Sequence, residues 1–226
     1  MIIVPRFSKS DTRSLTDQLV AYARLVTNDE NSFDMIEVFT TQMSQLFASL
    51  SRVLDRESEH LQEERIGREL VLTQHEQLTD QLEQQLTGFV ALLRAILRSA
   101  QEDARFLTRH RDSIAQLFLE GDLRVEFLES AQKSIDVENR FLSALRFLEQ
   151  IHKRSNALIK DLRKLRSSFD DERQGEKVLA LLESCRMRAD ALHEQCRDLS
   201  IHIPGLRDMD AASARKLGML AKSMRA

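Results

Sequence analysis

Apolar side chains recur every three or four residues along most of this chain, which is the spacing of one face of an α-helix. The pattern is clearest from Ile36 to Val53 and from Val178 to Ile203, where steps of three and four alternate. Alternating steps of this kind are typical of helices that pack along a narrow seam. The pattern therefore predicts an all-α protein whose helices pack as a bundle or coiled coil.

The middle of the chain predicts two long central helices, at about residues 69–119 and 122–169. Between them lies Glu120-Gly121-Asp122, where the Gly follows a helix end and the Asp can cap the next helix. A connection this short requires the two helices to lie antiparallel. We therefore predict an elongated antiparallel helical bundle or coiled coil, built on these two helices with shorter flanking helices.

The most apolar part of the first central helix runs from Leu82 to Leu97. Between Phe89 and Leu97 only Arg94 is charged, so the helix is apolar around most of its circumference there and should be buried on several sides. Arg94 is expected to extend to solvent or to meet an acidic partner.

The remaining segments complete a single elongated helical domain, residues 1–226. We predict an N-terminal extended segment and short helix at 1–31, a bundle body at 32–203 and a C-terminal amphipathic helix at 204–226, with Pro204-Gly205 ending the preceding helix. A charged break precedes Val178, from Asp170 to Gly175. Near residues 63–68 the polar sequence and Gly67 favour a reversal of the chain, with one continuous helix as the alternative.

Composition supports a helical protein and bears on its partners. Only 6 Gly and 2 Pro occur in 226 residues, too few for the turns of a many-stranded fold. The net charge of −3 offers no general attraction for nucleic acid, so no nucleic-acid partner is expected. No segment approaches the roughly 20 apolar residues of a membrane span, and the N-terminus lacks the features of a signal peptide, so a cytoplasmic protein is expected.

Opposite charges along the predicted helices suggest how the helices pair. The acidic stretch 55–64 is expected beside the basic stretch 152–166. At the other end, Arg105, Arg109 and Arg111 are expected close to acidic side chains at 120, 126 and 129.

The two cysteines, Cys185 and Cys196, lie on the apolar seam eleven residues apart, too far to bond to each other within one helix, and are predicted to be buried reduced thiols.

Two Glu-x-x-His spacings are the sharpest candidates for chemistry, namely Glu57/His60 and Glu149/His152. In carboxylate-bridged four-helix proteins this spacing on two helices contributes to a di-metal centre. The two motifs here lie at levels more than about 10 Å apart along the helices, so polar seam residues are the preferred interpretation. We expect no metal and no cofactor.

A possible interaction surface consists of basic residues on the second central helix and near the C-terminus. Its members are Lys153, Arg154, Lys160, Arg163, Lys164, Arg166, Arg215, Lys216, Lys222 and Arg225.

The chain contains no Gly-rich phosphate loop, Cys-x-x-Cys pair or nucleophile elbow, so it is not expected to be an enzyme. The function we expect is that of a scaffold or adaptor with protein partners, forming a homodimer. This expectation depends on surplus apolar side chains that a narrow bundle would leave partly exposed, namely Phe47, Leu54, Phe127, Phe141 and Phe147. The alternative is a peripheral membrane-binding module that uses a basic bundle end or the C-terminal helix, and the remote alternative is a di-metal carboxylate protein.

Overall fold

The computed structural model describes residues 15–27, 30–63, 68–168 and 175–224. Within these ranges the backbone forms five α-helices and no strand, so the predicted all-α fold is confirmed. The helices are α1 (Leu15–Thr27), α2 (Glu30–Glu63), α3 (Arg68–Ala115), α4 (Gly121–Ser168) and α5 (Gly175–Ser223). The predicted central helices correspond to α3 and α4, with ends that agree to within a few residues. The predicted N-terminal extended segment and most of the break at 170–175 lie outside the described residues.

The chain reverses between α2 and α3, which confirms the predicted reversal and excludes one continuous helix. Glu57 of α2 and His75 of α3 are 2.9 Å apart, from the carboxylate Oε1 to the imidazole Nδ1. In one continuous helix their eighteen-residue separation would place them about 27 Å apart. The two helices must therefore run back alongside each other.

Helix α5 is longer than predicted, because it continues through Pro204 to Ser223. Proline has no N–H, so the carbonyl one turn earlier loses its helical donor, at a cost of about 3 kcal/mol in a helix interior. Beyond the proline, Leu217 and Leu220 are buried, and burial of such side chains contributes about 1.5–3 kcal/mol each. Packing on both sides of Pro204 therefore outweighs the local break, and the separate helix predicted at 204–226 is the last part of α5.

The chain divides into two compact units, and α2 to α5 each contribute residues to both. Unit 1 comprises residues 1–37, 92–146 and 201–226, and unit 2 comprises residues 38–91 and 147–200. No described helix is long and apolar enough to cross a membrane.

Unit 1 has a core formed by α1, the later part of α3, the start of α4 and the end of α5. Tyr22 of α1 stacks on Phe106 of α3 with ring centroids 5.4 Å apart. Its hydroxyl lies 3.1 Å from the Ser134 hydroxyl. Burial, followed by the nearby carboxylate of Glu138, raises the pKa of Tyr22 well above its ordinary value. The core is therefore apolar with one polar layer. Its buried members include Leu19, Leu107, Ile114, Phe118, Phe127, Ala131, Ala214, Leu217 and Ala221.

Unit 2 packs α2 against the start of α3, the end of α4 and the start of α5. Phe39 of α2 lies parallel to Phe89 of α3, with centroids 3.4 Å apart. The α2–α5 contact includes a polar bond, since the Ser44 hydroxyl lies 2.9 Å from Nδ1 of His193. Buried apolar side chains of this unit include Met43, Phe47, Leu50, Leu54, Leu82, Leu86, Leu158, Leu162 and Leu182.

The apolar stretch 82–97 is buried through Phe89, Leu93 and Ile96, as its composition predicted, while Arg94 is exposed. The expectation for the surplus apolar side chains was wrong. Four of them are at most 2 % exposed, and Phe147 is half-buried. Each unit packs segments of four or more helices, so a helix contacts several neighbours and buries a wider face than a single seam requires.

Candidate functional site

A deeply buried polar contact of unit 2 joins an imidazole to a carboxylate. Glu57 is 3 % exposed and His75 is 1 % exposed. Both carboxylate oxygens lie near Nδ1 of His75, at 2.9 and 3.1 Å. An ionised carboxylate can only accept, so Nδ1–H is the donor in that state. The contact fixes the register of α2 against α3.

His75 also lines a cavity of about 270 Å³, together with Thr79, Leu162 and Arg166. Its second ring nitrogen, Nε2, is buried and has no hydrogen-bond partner among the residues that the structure describes. A histidine oriented by a carboxylate can serve as a base when a nucleophile contacts its free nitrogen. The hydroxyl of Thr79, however, donates to the backbone carbonyl of His75 at 2.8 Å. The arrangement therefore shows an oriented histidine without an adjacent activated nucleophile in the described part of the chain.

The two Glu-x-x-His motifs have different surroundings. Glu57 bonds to His75, and the side chain of His60 lies outside the described residues. Glu149 is half-buried on α4, and His152 accepts from the amide of Asn156 at 3.1 Å. Across the described ranges, no group of three or more His, Cys, Asp or Glu side chains is placed to hold a metal ion.

The predicted basic surface on α4 is partly neutralised by α3. Arg163 pairs with Glu83, and Nε of Arg166 lies 2.5 Å from Glu76. Arg154 donates to the Gln195 side chain at 3.3 Å. The acidic partners thus come from residues 76–83 rather than from the predicted stretch 55–64, since the antiparallel pairing of α3 and α4 puts the start of one beside the end of the other. The lysines at 153, 160 and 164 are exposed and make no ion pair within the described ranges.

Three of the basic residues near the C-terminus, Arg215, Lys216 and Lys222, are exposed on α5 in unit 1. Lys216 pairs with Glu126 at 3.1 Å, and Arg215 donates to the carbonyl of Ala211 at 3.2 Å. Lys222 is exposed, and Arg225 lies outside the described residues. The opposite, apolar side of this segment belongs to the unit 1 core. The side that an amphipathic membrane helix would insert is therefore occupied by packing.

Near the α3–α4 turn the predicted proximity holds for Arg111 and Glu129, which line a common cavity, but the polar contacts of Arg111 are made with other residues. Arg111 donates to the Gln132 side chain at 2.7 Å and to Asp112 at 2.9 Å. Arg105 and Arg109 have no ion pair among the residues that the structure describes. Sequence position alone indicated proximity, but not which side of each helix the charges occupy.

The two cysteines are free and buried, as predicted. Burial raises the pKa of the Cys185 thiol to about 11 and that of Cys196 to about 12. Both thiols therefore remain protonated at neutral pH, which opposes nucleophilic or metal-binding roles.

A surface that the sequence did not predict lies at the turn between α3 and α4. Leu117 is 45 % exposed, Leu119 is 99 % exposed and Val125 is 55 % exposed; we call these three residues the apolar turn surface. The predicted central helix continued through Leu119, whereas α3 ends at Ala115, so the prediction placed Leu117 and Leu119 on a helix rather than in the turn. Three large apolar side chains within nine residues of a helix break would have been the available signal.

The backbone beneath this surface is held in place by several contacts. Leu117 N–H donates to the carbonyl of Ile114 at 3.0 Å, and the Arg124 guanidinium donates to the carbonyl of Phe118 at 3.0 Å. The Phe118 ring is buried against Phe127, with centroids 5.2 Å apart. The turn therefore presents its apolar side chains from a constrained backbone.

Comparison of the chain with protein-family models, with curated proteins and with solved structures found no match. The fold defines only the class of protein, an all-α helical bundle. Function must be argued from the surfaces and sites described above.

Proposed function

We propose that this protein is a non-enzymatic helical scaffold or adaptor that acts through protein–protein contacts, and that its apolar turn surface binds the same surface of a second copy. The observation that carries the proposal is the 99 % exposure of Leu119 on a turn held by Arg124 and Phe118. Large apolar side chains that project from a constrained turn are suited to docking, because little conformational entropy is lost when they bind.

The size of the surface supports a weak contact. Burying each of the three apolar side chains would contribute about 1.5–3 kcal/mol. Association itself costs about 4–15 kcal/mol. Ile201, Met209 and Met219 of α5 are also exposed in unit 1 and could add apolar area. We therefore expect reversible self-association that depends on protein concentration.

The same residues on two copies would meet about a two-fold axis, the commonest symmetry of soluble homo-oligomers. Such an interface does not require charge complementarity, and its central contacts would be apolar. This arrangement accounts for an exposed leucine without invoking a second kind of partner.

Sedimentation equilibrium of the full chain over a series of concentrations tests the proposal. The wild type should show a concentration-dependent rise in mass, and Leu119→Gln should weaken association by about a hundredfold or more, since each dimer loses two buried leucine contacts and each is worth at least about 1.4 kcal/mol. Met187→Gln is the matched control, because Met187 is 62 % exposed in unit 2. A strict monomer at every concentration would contradict the proposed self-association, and equal weakening by both variants would exclude the turn as its site.

A further inference from the structure

A groove between α3 and α4 of unit 1 is lined by three arginines. Arg105 and Arg109 come from α3 and Arg146 comes from α4, around a volume of about 290 Å³. The amide side chains of Gln101 and Asn139 also line it. We call this the arginine groove. Its lining contains cationic and amide groups and no carboxylate.

The three guanidinium groups have no ion pair or hydrogen bond within the described ranges. Arg105 and Arg109 lie one turn apart on the same helix, where like charges destabilise rather than stabilise. The cavity beside His75 provides a contrast, because Arg163 and Arg166 line it but pair with carboxylates of α3. The charge of the arginine groove is therefore not neutralised by an ion pair within the described part of the chain.

The same side of α3 carries further unpaired positive charge. Arg94 and Arg98 are exposed, and at 100° per residue they lie within about 20° of Arg105 around the helix axis. Neither has an ion-pair partner among the residues described. This stripe accounts for Arg94, the one charge between Phe89 and Leu97, as part of a positive field that would guide anions to the groove.

We propose that the arginine groove binds a compact anion bearing two or more phosphate groups. Guanidinium groups match phosphate oxygens with paired hydrogen bonds, and three of them favour a multiply charged ligand. The volume equals about ten water molecules, enough for two phosphate groups. The floor is formed by Ala104 and Leu142, and no aromatic side chain lines the groove on which a nucleobase could stack. Recognition therefore rests on the phosphates, carried either by a free compound or by a lipid headgroup.

Calorimetric titration of the full chain with pyrophosphate tests the site. Wild-type protein should bind pyrophosphate more tightly than orthophosphate, with an affinity that falls as salt rises. Arg105→Gln/Arg109→Gln should weaken binding about tenfold or more, because each guanidinium–phosphate hydrogen bond is charge-assisted. Lys160→Gln/Lys164→Gln is the matched control, since it removes the same two charges from exposed, unpaired positions in unit 2. The control should bind as the wild type does.

All four substituted side chains are exposed, so both variants should fold, which circular dichroism and thermal melting would verify. Absence of pyrophosphate binding to the wild type would overturn the proposal. Equal loss in the two double variants would also overturn it, because it would indicate general charge attraction.

Vesicles containing a phosphoinositide bisphosphate distinguish the two sources of phosphate. Sedimentation with these vesicles that needs Arg105 and is competed by pyrophosphate would support a lipid headgroup as the ligand. Pyrophosphate binding without vesicle binding would support a free phosphate compound. Vesicle binding that persists in Arg105→Gln/Arg109→Gln would overturn the assignment of the headgroup to this groove.

Discussion

At the scale of single residues, Glu57 and His75 place two polar groups where unit 2 is nearly inaccessible to water. Their mutual bond compensates the loss of hydration for each. Removing one member leaves the other buried without a hydrogen-bond partner. Replacing both with apolar groups leaves no buried polar group that needs one. The two residues should therefore behave as one energetic unit.

We predict that His75→Leu will lower the free energy of unfolding by about 3–5 kcal/mol, because the Glu57 carboxylate loses its buried partner. The double variant Glu57→Leu/His75→Leu should be much less destabilised than the sum of the two single variants. Urea denaturation followed by circular dichroism measures the free energy of unfolding of the wild type, the two single variants and the double variant. Additive losses would show that the pair is not coupled.

The exposed pairs on the same unit provide a control for that experiment. Arg163→Gln breaks an ion pair whose arginine side chain is 56 % exposed. Solvent-exposed pairs contribute about 0–1 kcal/mol, so the expected change is small.

At the scale of elements, α5 shows how tertiary packing overrides a local stop signal. Pro204 and Gly205 are both unfavourable inside a helix, yet the helix spans Gly175–Ser223. Ile203, immediately before the proline, is completely buried. The apolar positions before and after Pro204 thus stabilise a continuous helix that its own sequence weakens.

We predict that Pro204→Ala will raise the free energy of unfolding by about 1–3 kcal/mol, because the substitution restores the missing helical donor. Gly205→Ala is the reference variant for helix propensity alone, since a Cβ there meets no atom within 4 Å. It should raise the free energy of unfolding by about 1 kcal/mol. Thermal melting of both variants measures the changes. A stabilising Gly205→Ala together with a destabilising Pro204→Ala would mean that the local geometry at the proline is required by packing.

At the scale of the whole molecule, two buried thiols and a buried phenol should make the free energy of unfolding fall at alkaline pH. The pKa values of Cys185, Cys196 and Tyr22 are all raised, chiefly by burial. A group whose pKa is higher in the folded than in the unfolded state contributes fully to the free energy of unfolding at any pH below its unfolded-state pKa. The contribution is then lost as pH rises toward the folded value, because the unfolded chain ionises first.

We predict that the free energy of unfolding will fall between about pH 9 and pH 11, by about 1.4 kcal/mol per pH unit for each thiol. The upper end of the window follows from the Cys185 pKa of about 11, and Cys196 extends it to about 12. Urea midpoints measured across this range should decline less steeply in Cys185→Ala/Cys196→Ala. Parallel slopes in wild type and variant would contradict the assigned role of the thiols.

Much of the fold could be predicted because helical periodicity is a local property of the chain. The approximate ends of α3 and α4 and the burial of Cys185 follow from residues three or four apart or from turn signals, but the turn itself lies at residues 116–120, and Gly121 is the first residue of α4. The candidate sites were less accessible to prediction. His75 belongs to neither of the Glu-x-x-His motifs, and the three residues of the apolar turn surface fall within the two predicted central helices.

The sequence by itself determined that this protein is helical, where its long helices run and which cysteines lie inside, since these properties depend on neighbours along the chain. Only the tertiary structure decided that Glu57 meets His75, that Arg163 and Arg166 pair with residues 76–83, and that α5 passes through Pro204. It also decided that Arg105, Arg109 and Arg146 share one groove. These outcomes depend on the register and rotation of each helix against its neighbours, which are set by many small packing terms summed over the core rather than by any local pattern.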